Sequence, residues 1–400
     1  MKGSLISLVG GASTALAAVR GFNYAAQEAT QENFEASFKL AGSLSGLDNF
    51  NGARLYTMIQ EGTTNEPIHA IPAAIDTKST LLLGLWTSVP QSAFDNEITA
   101  LKNAIQQYGD DLKNMVTGIS VGSEDLYRIS VTGLANDPTA AGQTPDHPRS
   151  HQGTALDGTP IGHVDTWNAF VNSSNDKVIA ACDFLGLDEY PYFQTTDPNS
   201  IDNAANLFFE AYDKVKAVAQ GAELWVTEAG WPVSGKQSGA AITGVDNAQT
   251  FWQEVACELI KRNINFWWYM LQDKASPDFS VASASGQPLY NLACNASSGY
   301  HPTTNNSSSS STAPSSSKAT ASMTTISGTI VTTIPTETGE AGSPGAANAG
   351  AGSQTTGGSG ATGSSSSASA SGSSFAGAAG KSQASFIGLV LAAAAAVFAL

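Results

Sequence analysis

The sequence has few cysteines, few basic residues and no apolar run long enough to span a membrane comfortably, and each shortage narrows the class of protein. Three cysteines in 400 residues form no Cys-x-x-Cys pair, so no metal site is indicated. The 34 acidic residues outnumber 18 lysines and arginines, which argues against nucleic acid and anionic membrane surfaces as partners. No glycine-rich phosphate loop follows the first apolar run, so no nucleotide cofactor is indicated either. We expect a monomer without metal or cofactor, and the charge is compatible with a neutral ligand such as a polysaccharide.

Both ends of the chain have the composition of processing signals. Residues 1–17 begin with Lys2, run through small apolar residues and end in Ala-Leu-Ala, as secretory signals do. We expect cleavage after Ala17 and a mature protein in an oxidising compartment. Residues 301–372 are rich in Ser, Thr and Gly and predict a disordered, glycosylated stalk.

The last segment, 373–400, combines small residues, a polar spacer and an apolar tail over 386–400. This pattern predicts a GPI-attachment propeptide, with Gly372 as the attachment residue, in preference to a tail-anchored helix. The protein would then be held at the outer face of the plasma membrane, and in the cell wall, through a lipid anchor.

The cysteines and the sequons add expectations about covalent structure. Cys182 lies in an apolar, strand-like run, so we interpret it as a buried thiol, which leaves Cys257 and Cys294 as the better disulfide pair, although spacing alone does not fix the pairing. Four Asn-x-Ser sequons predict surface glycans. They are Asn172, Asn295, Asn305 and Asn306.

The globular part, 18–300, alternates short apolar runs with amphipathic stretches over 91–108, 204–218 and 247–263. Buried strands that alternate with helices favour a parallel sheet, and eight of them in this length predict a (β/α)8 barrel. The alternative is an open doubly wound sheet. The eight runs are 19–24, 53–58, 80–86, 116–122, 160–164, 184–187, 224–227 and 264–271.

Two glutamates follow the fourth and seventh predicted strands. Glu228 comes at the end of an apolar run, before Gly230 and Pro232 stop the strand, and Glu124 follows the fourth run in the same way. In a barrel the carboxyl ends of the strands surround the active site, so both side chains would meet at its mouth. Two carboxyls whose pKa values are pushed apart are what glycoside cleavage needs.

Three segments carry a family resemblance: ISVGSE over 119–124, LDEYPYF over 187–193 and WVTEAGWP over 225–232. They resemble glycoside hydrolase family 17, and within it the secreted, GPI-anchored fungal glucan endo-1,3-β-glucosidases. The resemblance implies retaining hydrolysis of β-1,3-glucan, with Glu124 as the acid/base and Glu228 as the nucleophile. The alternatives are a β-1,3-glucanosyltransferase that uses the same two glutamates, and a non-catalytic glucan-binding wall mannoprotein. Ser123, Asp188 and the pair Asp273-Lys274 depart from the family pattern, which has Asn, Asn and Glu with a Lys there.

Other polar and aromatic residues stand at or just past strand ends, where they would contact the glucan. Arg54 could orient a catalytic carboxylate or form a structural ion pair, and His163 reads as a hydrogen-bonded rim residue. Trp225, Trp267 and Trp268 are interpreted as core. The predicted substrate-binding residues are Asn23, Tyr56, Ser123, Asp188, Tyr190, Trp231, Asp273 and Lys274.

Overall fold

The computed structural model describes residues 17–26, 30–136 and 154–302. Within them, eight parallel strands pair in chain order, and the first pairs with the last to close a barrel. The predicted (β/α)8 class is confirmed, and the open doubly wound sheet is wrong. The signal peptide up to residue 16, the stalk from 303, the tail, Asn305, Asn306 and Gly372 lie outside the described residues.

Each predicted apolar run overlaps one strand, but the strand ends differ from the prediction. The fifth, sixth and seventh strands each continue two residues further than predicted, so Asp165, Asp188 and Glu228 lie within strands. The last strand is shorter than its apolar run. The strands are β1 (Arg20–Tyr24), β2 (Phe50–Leu55), β3 (Thr80–Leu85), β4 (Val116–Ser123), β5 (Ile161–Thr166), β6 (Phe184–Glu189), β7 (Glu223–Ala229) and β8 (Phe266–Trp268).

Helices follow the strands and cover the outside of the barrel. The first begins after Thr30, whose hydroxyl accepts a hydrogen bond from the Asn33 amide and so satisfies a free N–H of the first turn. None of the described helices is both long and apolar enough to cross a membrane. The helices are α1 (Gln31–Ser43), α2 (Ala70–Thr77), α3 (Gln91–Lys113), α4 (Asp125–Arg128), α5 (Val131–Asn136), α6 (Trp167–Phe170), α7 (Asp176–Ala181), α8 (Ile201–Val218), α9 (Val245–Phe251) and α10 (Cys257–Lys261), with a π-helical stretch, Trp252–Ala256, between the last two.

Large aromatic side chains fill the amino-terminal end of the barrel. Phe184 and Trp225 stack with their ring centroids 3.8 Å apart, and Trp267 packs against Trp225 at 5.9 Å. Leu82 completes this cluster. Gly118 leaves room for it, since a Cβ there would lie 3.0 Å from the Trp225 ring. This end of the barrel is therefore filled by apolar side chains, and the predicted core positions of Trp225 and Trp267 are confirmed.

The cysteines follow the predicted pairing, but one position differs. Cys257 and Cys294 form a disulfide that joins α10 to the segment after the barrel, as predicted. Cys182 remains a thiol, as predicted, and its S–H donates to the Val178 carbonyl. Its placement in a buried strand is wrong, because it is the half-buried residue directly after α7. Burial raises the pKa of this thiol to about 12, so it stays protonated at neutral pH.

Candidate active site

An irregularity of strand register precedes each of the two predicted catalytic glutamates. Between β4 and β5 the register shifts between Ser120 and Ser123, directly before Glu124. Between β6 and β7 it shifts at Asp188, which pairs with Glu228 where a regular ladder would bring Thr227. An extra residue in one strand bends that strand and redirects the side chains that follow. The direction of both glutamate side chains thus depends on local irregularities in the strand pairing.

Glu124 is the first residue after β4, and an unusual backbone conformation brings it into the mouth. Its φ is 56°, and that of Gly122 two residues earlier is 88°, both in the left-handed region. A Cβ on Gly122 would lie 2.1 Å from the Asp125 carboxylate, so only glycine fits at this position. The sequence Gly-Ser-Glu therefore turns the chain sharply from β4 into the four-residue helix α4.

Glu228 lies within β7, one residue before its end, and three donors hold its carboxylate. Arg54 Nη1 donates to Oε1 at 2.5 Å, and the Tyr56 hydroxyl donates to the same oxygen at 2.7 Å. The Tyr190 hydroxyl donates to Oε2 at 2.7 Å. All the partners are donors, so the Glu228 carboxyl acts as an acceptor in every bond, as an ionised carboxylate does.

The two tyrosines stay protonated in this setting. Burial, reinforced by the adjacent Glu228 charge, raises the pKa of Tyr56 and of Tyr190 well above the usual value for a phenol. Tyr190 is 4% exposed, and its ring packs edge-on against Phe193 and Tyr269. Their contact with the glucan stays a prediction, and the contacts that the structure shows are hydrogen bonds from their hydroxyls to the nucleophile candidate.

Arg54, on β2, connects the predicted polar residues to Glu228. Besides binding Glu228, its guanidinium donates to the Asn23 side-chain oxygen at 2.9 Å and to the Ser123 hydroxyl at 3.0 Å. The Asp188 carboxylate lies 3.8 Å away. Of the two interpretations of Arg54, its short contact with Glu228 favours the one in which it orients a catalytic carboxylate.

The surroundings of Glu124 are the opposite of those of Glu228. Glu124 is fully buried, yet neither carboxylate oxygen has a hydrogen-bond partner in the described part of the chain. Burial raises the pKa of Glu124 to about 8; the Arg128 charge opposes this rise and the Glu228 charge adds to it. Glu124 therefore carries a proton at neutral pH, with its carboxyl free to bond a ligand.

A second layer of buried charge fixes α4 beneath Glu124. The Asp165 carboxylate accepts hydrogen bonds from the Leu126 amide at 2.9 Å and from the His163 ring at 3.0 Å. The other ring nitrogen of His163 faces the Val121 carbonyl at 2.8 Å. Burial lowers the pKa of His163, but the Asp165 carboxylate outweighs that effect and the net shift is upward. Both ring nitrogens of His163 thus face oxygen atoms within the barrel, in line with the prediction that it is a hydrogen-bonded residue.

The remaining predicted contact residues are Trp231, after β7, and Asp273 and Lys274, after β8. Trp231 is 1% exposed, packs against Tyr192 and Phe251, and donates its indole N–H to the Ile242 carbonyl, so its ring faces are covered by protein. Asp273 accepts the amides of Ala275 and Phe279 and so shapes its own loop after β8. Lys274 is exposed in the same loop.

The two described sequon residues, Asn172 and Asn295, are both exposed. Each side-chain oxygen accepts the amide N–H two residues along, from Ser174 and Ser297. Glycan attachment at these sites stays a prediction. In the part of the chain that the structure describes, no group of three or more His, Cys, Asp or Glu side chains is arranged to hold a metal ion.

Two residues at the mouth escaped the sequence analysis. Arg128 projects from α4 with Nη2 3.7 Å from Glu124 Oε2. Tyr269 comes directly after β8, where burial, the Asp273 charge and the Glu228 charge raise its pKa well above the usual value for a phenol. The spacing of four residues between Glu124 and Arg128 was the available signal for the first. The second had none, because Tyr269 lies inside an apolar run that reads as core.

A protonated carboxyl beside a carboxylate held by donors, at the mouth of a (β/α)8 barrel, defines a barrel glycosidase of the two-carboxylate type. The comparison with known proteins agrees: residues 21–283 match the family described as BtgE/BtgC glycoside hydrolase domain, and the chain belongs to this family. It is an enzyme of the glycoside hydrolase class, of the family 17 type that its motifs indicated.

Two curated relatives illustrate the similarity. The chain is 50% identical over 313 residues to a probable glucan endo-1,3-beta-glucosidase, eglC, of Aspergillus fumigatus, which covers 74% of this chain and 69% of that protein. It is 30% identical over 226 residues to a glucan 1,3-beta-glucosidase of Schizosaccharomyces pombe, across 54% of this chain and 68% of the other.

Solved structures share the fold. A glycoside hydrolase family 17 beta-1,3-glucanosyltransferase from Rhizomucor miehei matches with a TM-score of 0.56 and 24% identity, over 69% of this chain and 98% of that one. An active-site mutant of the same enzyme, in complex with laminaritriose, matches with a TM-score of 0.54 and 22% identity over the same shares of the two chains.

Proposed function

We propose that this enzyme hydrolyses internal β-1,3-glucosidic bonds of cell-wall glucan with retention of the anomeric configuration. The substrate class rests on the relatives, which are named as β-1,3-glucosidases. The observation that carries the mechanism is the contrast between the two glutamates. Glu124 is buried and accepts no hydrogen bond from the residues that the structure describes, whereas three donors hold Glu228.

In the first half of the reaction, the Glu124 carboxyl gives its proton to the glycosidic oxygen as the bond from that oxygen to C1 breaks. A Glu228 carboxylate oxygen attacks C1 from the opposite face and forms a glycosyl-enzyme. Arg54, Tyr56 and Tyr190 fix the attacking carboxylate, so little motion is needed to reach C1.

In the second half, the Glu124 carboxylate takes a proton from water as the water oxygen attacks C1, and Glu228 leaves as a carboxylate. Two inversions at C1 give net retention, and both glutamates return to their starting states. Because the pKa of Glu124 is raised to about 8, the acid form is available up to mildly alkaline pH.

The test is a time course on laminarin and on reduced laminarioligosaccharides, with the anomers of new reducing ends followed by NMR and chain lengths by chromatography. We expect β-anomers first and internal cleavage with shorter products only. Glu124→Gln and Glu228→Gln should each lose activity, while Glu32→Gln, a matched change on an exposed face of α1, should not. Initial α-anomers would contradict the retaining mechanism.

The same time course separates hydrolysis from transfer to a second glucan. A glucanosyltransferase passes through the same glycosyl-enzyme, but the attacking hydroxyl belongs to another chain. Products longer than the reduced oligosaccharide supplied would identify transfer. Binding of glucan without new reducing ends from the unaltered enzyme would identify a non-catalytic wall protein.

We also propose that the enzyme is secreted and held at the outer face of the plasma membrane, and in the cell wall, by a GPI anchor. The support is the sequence pattern of residues 1–17 and of 373–400, with Gly372 as the attachment residue. Deletion of 372–400 should release soluble, active enzyme into the medium. Retention of that truncated protein on membranes would contradict the anchor.

A further inference from the structure

Arg128 is a buried cation whose two amino groups face different surroundings. Its Nη1 donates to the Ser88 hydroxyl at 3.1 Å and to the Ser123 carbonyl, and the guanidinium lies over the Trp86 ring at 4.8 Å. Its Nη2, in contrast, has no hydrogen-bond partner among the described residues although it is buried. One amino group thus binds the loop after β3 and the last residue of β4, whereas the other makes no hydrogen bond to the described residues.

The unused Nη2 faces the unused carboxyl of Glu124. The separation from Nη2 to Oε2 is 3.7 Å, just beyond hydrogen-bond length, and both groups are almost completely buried. A buried donor and a buried acceptor without partners each cost free energy, and here the two lie next to each other. A small rotation of the Glu124 carboxyl would close the gap between them.

A change in the charge of Glu124 during the reaction would explain the gap between its carboxyl and Arg128 Nη2. A protonated carboxyl is only weakly attracted by a guanidinium, whereas a carboxylate would form a strong, charge-assisted bond with it. The other charged groups that act on Glu124 are Arg54, which also favours the carboxylate, and Glu228 and Asp165, which oppose it. On the far side of Arg128, the Asp125 carboxylate lies 4.0 Å from Nη1.

We propose that Arg128 is a positioning residue that binds the Glu124 carboxylate each time the proton leaves it. This inference rests on the proposed two-glutamate mechanism. When Glu124 protonates the leaving oxygen, the new carboxylate closes on Nη2. When Glu124 takes a proton from the attacking water, the bond opens again and the acid is restored. Arg128 itself neither gains nor loses a proton.

The first test removes the positive charge of Arg128. In Arg128→Gln, which keeps amide donors for Ser88 and the Ser123 carbonyl, the alkaline limb of kcat/KM on laminarin should move up by about one pH unit or more, because the cation no longer favours the carboxylate. Arg128→Lys should restore most of the wild-type profile. Arg262→Gln is the matched control, since Arg262 also pairs with a glutamate four residues earlier and lies over a ring, Phe209, but on the outside of the barrel.

A second readout isolates the step that needs the carboxylate. On a dinitrophenyl β-laminaribioside the leaving group needs no proton, so only breakdown of the glycosyl-enzyme depends on Glu124 as a base. At pH 6 the Arg128→Gln variant should show a burst of dinitrophenol followed by a slower steady state than the wild type. A lower rate with an unmoved alkaline limb and no burst would mean that Arg128 is only structural, and would overturn the proposal.

A third measurement uses the unaltered enzyme and does not depend on whether a variant folds. A crystal structure of the 2-deoxy-2-fluoro glycosyl-enzyme should show Arg128 Nη2 within about 3.2 Å of a Glu124 oxygen. A gap that stays open in that intermediate would refute the inference. Failure of the unaltered enzyme to cleave laminarin, or absence of a glycosyl-enzyme, would refute the proposed function instead.

Discussion

The two ends of the barrel interior differ in polarity: one is apolar and the other is charged. At the amino-terminal end, Leu82, Phe184, Trp225 and Trp267 fill the interior with apolar surface. At the carboxyl-terminal end the interior holds buried arginines and carboxylates, several of them with raised pKa values. Burying aromatic rings stabilises the fold, whereas burying charges costs free energy that only their function explains. Each end can therefore be tested for the property that the other lacks.

The largest expected effect is the loss of the nucleophile at the charged end. Glu228→Gln should reduce kcat on laminarin by about four orders of magnitude or more, because no glycosyl-enzyme can form. The variant should still fold and bind laminarioligosaccharides, as measured by circular dichroism and calorimetry. Near-normal turnover would remove Glu228 from the mechanism.

The matching change at the apolar end should leave chemistry intact. Trp225→Ala removes a ring that stacks on Phe184, and we expect the free energy of unfolding to fall by about 3–5 kcal/mol. The kcat of the folded variant at low temperature should stay within a factor of about two. Denaturant unfolding and a rate assay on one sample measure the stability and the kcat. A large fall in kcat without a loss of stability would contradict the assignment of stability to this end and catalysis to the other.

The hydroxyls that hold Glu228 should have intermediate effects. Tyr56→Phe and Tyr190→Phe each remove one hydrogen bond to a carboxylate, worth about 1.5–3 kcal/mol, or roughly 10- to 150-fold in kcat. Tyr192→Phe is the comparison, because its hydroxyl donates to the Lys236 carbonyl instead. Equal losses in all three variants would point to general loosening of the loops and not to support of the nucleophile.

The smallest effect is a gain in stability. The pKa of Glu124 is raised in the folded state from 4.5 to about 8, so the folded protein binds the proton more tightly than the unfolded chain, and Glu124 lowers stability progressively as the pH rises between these two values. Glu124→Gln removes this penalty. We expect the advantage of the inactive variant over the wild type in unfolding free energy to be larger at pH 8.5 than at pH 5, by at least about 1 kcal/mol. The same gain at both values would contradict a buried, protonated Glu124.

The sequence was sufficient for the barrel and for the candidate pair, but not for the surroundings of the pair. Apolar runs that alternate with helices have few other solutions, and motif spacing put Glu124 and Glu228 at one mouth. The register shifts before them could not be read, because a bulge leaves no mark in the pattern except Gly122.

Side-chain roles were harder still to predict. A tyrosine at a strand end is equally suited to stack on a sugar or to donate a hydrogen bond, and only the bulged geometry shows that Tyr56 and Tyr190 reach Glu228. Trp231 stands in the strongest motif of the chain, yet the loop after β7 turns it into the core. These outcomes depend on contacts between residues far apart in sequence, which local patterns do not encode.

The division of labour between the two glutamates can be measured directly by trapping the intermediate. A 2-deoxy-2-fluoro laminaribioside with a good leaving group should inactivate the enzyme in step with formation of one covalent adduct. Peptide mass mapping should place the sugar on Glu228. A label on Glu124 or Asp188, or inactivation without any covalent adduct, would contradict the assignment of Glu228 as the nucleophile and of Glu124 as its acid/base partner.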